Sequence, residues 1–194
     1  MKKDDLATAI SHLFSPAGVA FIVFLWFSPV TGLGGAANWA ATATGLLCYG
    51  AVPTGGMLFL KRGGFIHELY DPRPSHRERI LVAGLCVYLA GYGALRLVGA
   101  PPTLLWSSAA FIGGATLVLL INRFWKISIH STGMGGAAIL LLEVSGLWVL
   151  PGAAAVTLAV VWARLTLEAH TQSQVIAGIA LGAIQAHLLR VHFM

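Results

Sequence analysis

From Leu13 to Leu60 the chain carries no Asp, Glu, Lys, Arg or His. A helix that crosses a bilayer needs roughly 20 apolar residues, so this run is long enough for two crossings. A soluble domain carries about a quarter charged residues, whereas this chain has 10% and is 57% hydrophobic. These values exclude a soluble enzyme, a disordered chain and a DNA-binding module. The net charge of +5 does not indicate nucleic acid, because the basic residues lie in short loops between apolar runs. The 23 glycines are in keeping with close packing of helices in lipid. Cys48 and Cys86 both sit in apolar runs and imply no disulfide framework.

The expected architecture is all-α: one polytopic membrane domain over 1–194, a bundle of six to seven transmembrane helices. The candidate spans are 13–31, 39–60, 80–99, 103–122, 132–149, 152–167 and 171–190. Gly and Pro between Pro29 and Asn38 separate the first two, Pro101-Pro102 the third from the fourth, and Pro151 the fifth from the sixth. The first helix is expected to be retained rather than cleaved as a signal peptide. Asp4 and Asp5 offset Lys2 and Lys3, and its apolar run is too long for a signal.

Seven spans put the N-terminus and the loops at 61–79, 123–131 and 164–171 on one side. That side collects Lys2, Lys3, Lys61, Arg62, Arg73, Arg77, Arg79, Arg123, Lys126 and Arg164, leaving Arg96 and Arg190 opposite. The positive-inside rule assigns the basic face to the cytoplasm of an integral inner-membrane protein. A phosphate-binding site on either side would gather the same residues.

Three polar clusters meet there: Asp71 to Arg79, Trp125 to Ser131, and Arg164 to Gln174. Guanidinium groups match phosphate oxygens bidentately, and a lysine adds a point charge. Two histidines beside such an anion site can divide the work of nucleophile and general acid. The acidic residues are Asp4, Asp5, Asp71, Glu68, Glu78, Glu143 and Glu168, with no cluster suited to a Mg²⁺-diphosphate. Neither a metal nor another cofactor is expected.

These clusters resemble, in chain order, the three motifs of the type 2 phosphatidic acid phosphatase (PAP2) superfamily: K-x6-R-P, P-S-G-H and S-R-x5-H-x3-D. The second is similar to Ile127-Ser128-Ile129-His130, with isoleucines for the proline and the glycine. The third is similar to Ala163-Arg164-x5-His170-x3-Gln174, with Ala163 for serine and Gln174 for the aspartate. Arg79 stands for the arginine of the first, followed by Ile80, and Pro72 occupies the lysine's place. The PAP2-like core covers about 61–190.

The resemblance implies that His170 attacks phosphorus to form a phosphohistidine. It implies that His130 protonates the leaving lipid oxygen and then deprotonates water. Arg164, Lys126, Ser128, Arg79 and the neighbouring Arg77 would hold the phosphoryl oxygens. One turn beyond His170, Gln174 can accept the proton on the imidazole's other nitrogen but lacks an aspartate's charge. The expected partners are a lipid phosphate substrate and membrane lipid.

Other roles compete for these residues. Arg77, Arg79, Arg123 and Lys126 also suit interfacial anchors, and Trp125 an interfacial ring. His130 and His170 also suit polar contacts between helices. Glu143, Gln185 and His187 suit helix pairing, and His67 and His76 are loop histidines. Haem ligation does not fit, because His187 alone is clearly intramembrane. The alternative to a lipid phosphatase is a PAP2-like scaffold retained as a non-catalytic subunit of a membrane complex.

Overall fold

The computed structural model describes residues 2–30, 36–65 and 74–193, without the side chains of 29, 30, 36, 37 and 74–77. The described residues form helices and turns with no strand. In order they are α1 (Lys3–Leu13), α2 (Pro16–Val30), α3 (Ala36–Gly45), α4 (Val52–Arg62), α5 (Pro74–Leu97), α6 (Pro102–Ile121), α7 (Ile129–Ser145), α8 (Leu150–Thr166) and α9 (Gln172–Arg190). Among these residues four helical stretches are long and apolar enough to cross a membrane: Asn38–Arg62, Glu78–Leu97, Pro102–Ile121 and Leu147–Thr166. A fifth is the pair Lys3–Leu13 and Pro16–Ser28 if its 52° bend lies within one span. Large apolar side chains such as Phe21, Leu25, Leu47, Leu89, Leu158 and Ile184 point outward. Lipid can cover such surfaces, and the spanning backbone satisfies itself by helix formation.

Among the described residues four or five stretches suit a membrane where six to seven spans are expected, and several segments differ in form, α5 starting at Pro74 rather than 80. The first helix does not start at Leu13, because α1 precedes it and the chain breaks at Phe14-Ser15. The Ser15 hydroxyl accepts from Gly18 N–H at 3.2 Å and so starts α2, with Pro16 next to it, where a missing N–H costs nothing. The expected 39–60 helix is continuous in space but widens into a π-helical stretch at Leu46–Ala51. In a regular helix Pro53 could not donate to the Tyr49 carbonyl and its ring would strike it; a wider turn relieves both. The fifth segment ends at Gly146, whose φ of +89° suits glycine, not at Pro151. Pro151 instead lies in the first turn of α8, where proline is tolerated.

The π stretch turns Tyr49 into the core. Its hydroxyl donates to the Tyr88 carbonyl at 2.7 Å and meets Ser108. Its ring lies 5.0 Å from Phe24 and 4.7 Å from Tyr88, centroid to centroid. This cluster joins α2, α5 and α6, while Trp106 Nε1 donates to the Ala186 carbonyl at 2.8 Å and ties α6 to α9.

The closest helix pair is α7 with α9, expected as spans 132–149 and 171–190. A Cβ added at Gly182 would come within 1.9 Å of the Thr132 carbonyl oxygen, and one at Gly135 within 2.1 Å of the Ile179 oxygen. Gly178 and Gly182 thus let two backbones touch, the geometry of small-xxx-small packing. At the far end of the pair, Glu143 meets His187 Nδ1 at 2.5 Å and Arg190 Nε at 3.0 Å. Gln185 Nε2 donates to the Ala110 carbonyl at 3.0 Å. Glu143, Gln185 and His187 therefore pair helices, as expected.

Candidate functional site

The α7–α9 contact brings the second and third motifs together at one end of the bundle. Ser128 N–H donates to the Gln174 carbonyl at 3.4 Å, joining the two segments directly. Ser128 is the N-cap of α7: its hydroxyl oxygen accepts from Ser131 N at 3.3 Å and from Ser131 Oγ at 3.0 Å. That capping holds the start of α7 in place and commits the Ser128 oxygen as an acceptor. What Ser128 can still offer an anion is its single proton. Buried Ile127, whose N–H donates to Asn122 Oδ1 at 3.2 Å, anchors the approach.

His130 follows in the first turn of α7 and is fully buried. Its Nε2 lies 3.1 Å from the carbonyl oxygen of Ser11 on α1. A carbonyl only accepts, so Nε2 carries the proton and Nδ1 is unprotonated in the neutral ring. Burial above all, then the positive charge of Arg164, push the His130 pKa well below its ordinary value; the Ser11 bond opposes this weakly. The imidazole is therefore neutral near pH 7. His170 and His12 also bear on its charge, so all three histidines share one neighbourhood.

Arg164 lies in the last turn of α8 and is 5% exposed. The C-terminal end of a helix dipole favours a cation there. Its Nη1 donates to Ser11 Oγ at 3.3 Å. Ser11 thus takes one bond from Arg164 through its hydroxyl and one from His130 through its carbonyl.

His170 sits half-buried in the turn between α8 and α9. Its Nδ1 lies 3.1 Å from Gln174 Oε1, which also accepts from Thr171 N–H at 3.1 Å. The second bond identifies that atom as the oxygen, since a backbone N–H cannot donate to an NH2 group. Nδ1 therefore carries the proton, and Nε2 keeps the lone pair that a nucleophile needs. The Gln174 hydrogen bond is the one expected from its position one turn beyond His170. The same glutamine closes a capping box with Thr171 at the start of α9.

The basic residues of the first cluster stand differently. Arg79 is exposed on the second turn of α5, and Lys126 is exposed on the loop before α7. The side chains of His76 and Arg77, together with His67 and residues 71–73, fall outside the described residues. Glu78 pairs with Arg123 at 3.1 Å, which links the start of α5 to the end of α6 at the same end of the bundle. Among the described residues no group of three His, Cys, Asp or Glu could hold a metal ion.

The sequence reading passed over α1 and with it Ser11 and His12. The signals were present: small residues at positions 7 and 11, one face of a helix, and an acidic residue at position 5 that caps its start. The Gly178-x3-Gly182 spacing and the Thr171-x-x-Gln174 capping box were equally legible.

No family model, curated protein or solved structure matches the chain.

Proposed function

We infer that this protein hydrolyses a phosphate monoester or diphosphate on a membrane lipid through a phosphohistidine on His170. The observation that carries the reading is the His170–Gln174 hydrogen bond of 3.1 Å, which fixes the proton on Nδ1 and leaves Nε2 unprotonated, at the end of the bundle that also holds Arg164 and His130. Phosphatidate, phosphatidylglycerol phosphate and polyprenyl diphosphate all present the group this chemistry attacks. The resemblance of the two histidine clusters to PAP2 motifs supports the same conclusion.

In the proposed reaction His170 Nε2 bonds to phosphorus as the bond to the lipid oxygen breaks. A protonated His130 passes its proton to that oxygen. Water then attacks the phosphohistidine and returns a proton to His130, and the P–N bond breaks to release phosphate. Arg164 stabilises the charge on the phosphoryl oxygens, with Lys126 and Arg79 supplying further positive potential. His130 is neutral in the empty site, so the negative charge of the bound substrate must raise its pKa against both burial and Arg164. The reading puts the site on the cytoplasmic face of the inner membrane, where most of the basic residues belong by the positive-inside rule.

A second reading draws on Ser11. Its bonds to Arg164 and His130 would serve equally well to fasten α1 in a non-catalytic subunit of a membrane complex. Phosphate release from these lipids by purified protein in the presence of a chelator separates the two. Hydrolysis by the parent and none by His170→Asn, with lipid phosphate still bound, supports the enzyme. Parent-like hydrolysis in His170→Asn sinks the mechanism. A parent that releases no phosphate and copurifies with other membrane subunits supports the scaffold.

A further inference from the structure

An apolar groove of about 260 Å³ lies between α2, α7 and α8. Among the described residues that line it, none carries a charge, and the indole N–H of Trp26 is taken up by Ser145 Oγ at 2.9 Å. Such walls offer a phosphate or a glycerol no ion pair. The volume falls below the roughly 300–1,000 Å³ of a pocket for a whole drug-sized ligand, and it suits part of one hydrocarbon chain. Ile22 is exposed along one edge, where a chain can enter from the bilayer.

The groove begins beside the phosphate site and runs away from it. On α7 its wall starts at Met134, one turn beyond His130 on the same face, and continues to Leu141. The wall on α8 runs from Gly152 to Val156, and that helix returns to bring Arg164 level with His130, both meeting Ser11. Phe14 lines the near end. At the far end the rings of Trp26 and Trp148 stand 5.6 Å apart, centroid to centroid. At 1.5 Å per residue, Leu141 lies about 16 Å beyond His130, and Ser145, which fixes Trp26, about 22 Å. Half of a bilayer about 40–45 Å thick is about 20–22 Å. The indole pair is therefore about as far from the site as the bilayer midplane is from a headgroup.

We propose that the groove holds one fatty-acyl chain of the substrate, phosphate at Arg164 and chain end at the Trp26–Trp148 pair. The site then takes a glycerol-based lipid phosphate with leaflet-length chains in preference to a polyprenyl diphosphate. This assignment rests on the phosphatase reading above. Lipid tails are as apolar as the groove, so moving a chain in from the bilayer gains little, and fit decides. A chain that stops short leaves the deep walls without contact atoms. A long polyprenyl chain, with its methyl branches, has to turn out of the groove at the indoles.

Two measurements on the full chain in detergent micelles test it. In the first, phosphate release from dioctanoyl phosphatidate, dipalmitoyl phosphatidate and a long polyprenyl diphosphate is compared for the parent and Gly152→Leu. A Cβ at Gly152 meets nothing within 4 Å, so the leucine adds bulk at the deep end without strain. The parent's kcat/KM for the dipalmitoyl lipid should exceed the other two by about tenfold. Gly152→Leu should cut the dipalmitoyl-over-dioctanoyl ratio severalfold. In the second, dipalmitoyl phosphatidate with a diazirine at the end of one chain is photolysed with the parent, and the labelled residues are mapped by mass spectrometry. The label should fall on Trp26, Leu141 or Trp148 and be removed by excess unlabelled dipalmitoyl phosphatidate. Phosphate release with the label on outward residues such as Leu25 and Leu158 overturns the groove alone, as does an unchanged ratio in Gly152→Leu. A parent that prefers the polyprenyl diphosphate overturns the chain assignment. If the parent releases phosphate from none of the three lipids, the phosphatase reading fails and the assignment with it.

Discussion

A buried histidine held neutral should leave its mark on stability as pH falls, and His130→Gln is the perturbation that isolates it. His130 lies outside the four spanning stretches, and burial together with Arg164 keeps it neutral in the folded chain. In the unfolded chain it titrates near the ordinary 6.5. Above pH 6.5 both states hold it neutral and its contribution to pH dependence is nil. Below 6.5 the unfolded state binds a proton that the folded state refuses, so stability falls as the pH is lowered. At pH 5.0 the loss amounts to about 2 kcal/mol for one such group. In a chain of this size that is a drop of about 4–8 °C in melting temperature. The glutamine amide can still donate to the Ser11 carbonyl and does not titrate, so His130→Gln should lose about that much less over the same interval. Melting followed by tryptophan fluorescence in micelles at pH 7.5, 6.5, 5.7 and 5.0 provides the comparison. Groups that do not interact with His130 contribute equally to both proteins and cancel in the difference. Curves for parent and variant that fall in parallel would refute a neutral, buried His130, and with it the need for substrate charge to protonate it.

Three further outcomes follow from the packing and the charge distribution. Gly182→Ala should lower the melting temperature through a loss of about 3 kcal/mol, since the new methyl meets backbone atoms at 1.9 and 2.8 Å and α7 must part from α9; a parent-like melt would refute that contact. Glu143→Gln should cost no more than about 1 kcal/mol, because its partners His187 and Arg190 are 62% and 45% exposed. A larger loss in a thermal melt would mean the pair is shielded from water in the membrane-embedded protein. Phe124→Cys, at a residue 92% exposed beside Arg123, should react with a membrane-impermeant maleimide only after cells are broken when Cys48 and Cys86 are replaced by alanine. Labelling of intact cells would put the basic face outside.

Apolar run length and the absence of charge from 13 to 60 were enough to foresee helices long and apolar enough to cross a membrane, because lipid permits few other ways to satisfy a backbone. The bounds of α6 and α9 were legible to within a residue or two, marked by Pro101-Pro102 and by Thr171. The pairing of His170 with Gln174 was legible too, since residues four apart across a turn and a helix start can meet. Long-range placement was not. Whether Pro151 ends a helix or begins one depends on Gly146, five residues earlier, taking a conformation open mainly to glycine. How close α7 and α9 approach depends on glycines on both helices facing each other, a matter of relative rotation that one helix's residues do not encode. The environment of His130 was decided from furthest away. Ser11 lies 119 residues from it in sequence, and only the packing of α1 against α8 brings that carbonyl to the imidazole and that hydroxyl to Arg164. Side-chain chemistry is local and can be read from the chain, but the charge state of a buried group is set by whatever the fold brings against it.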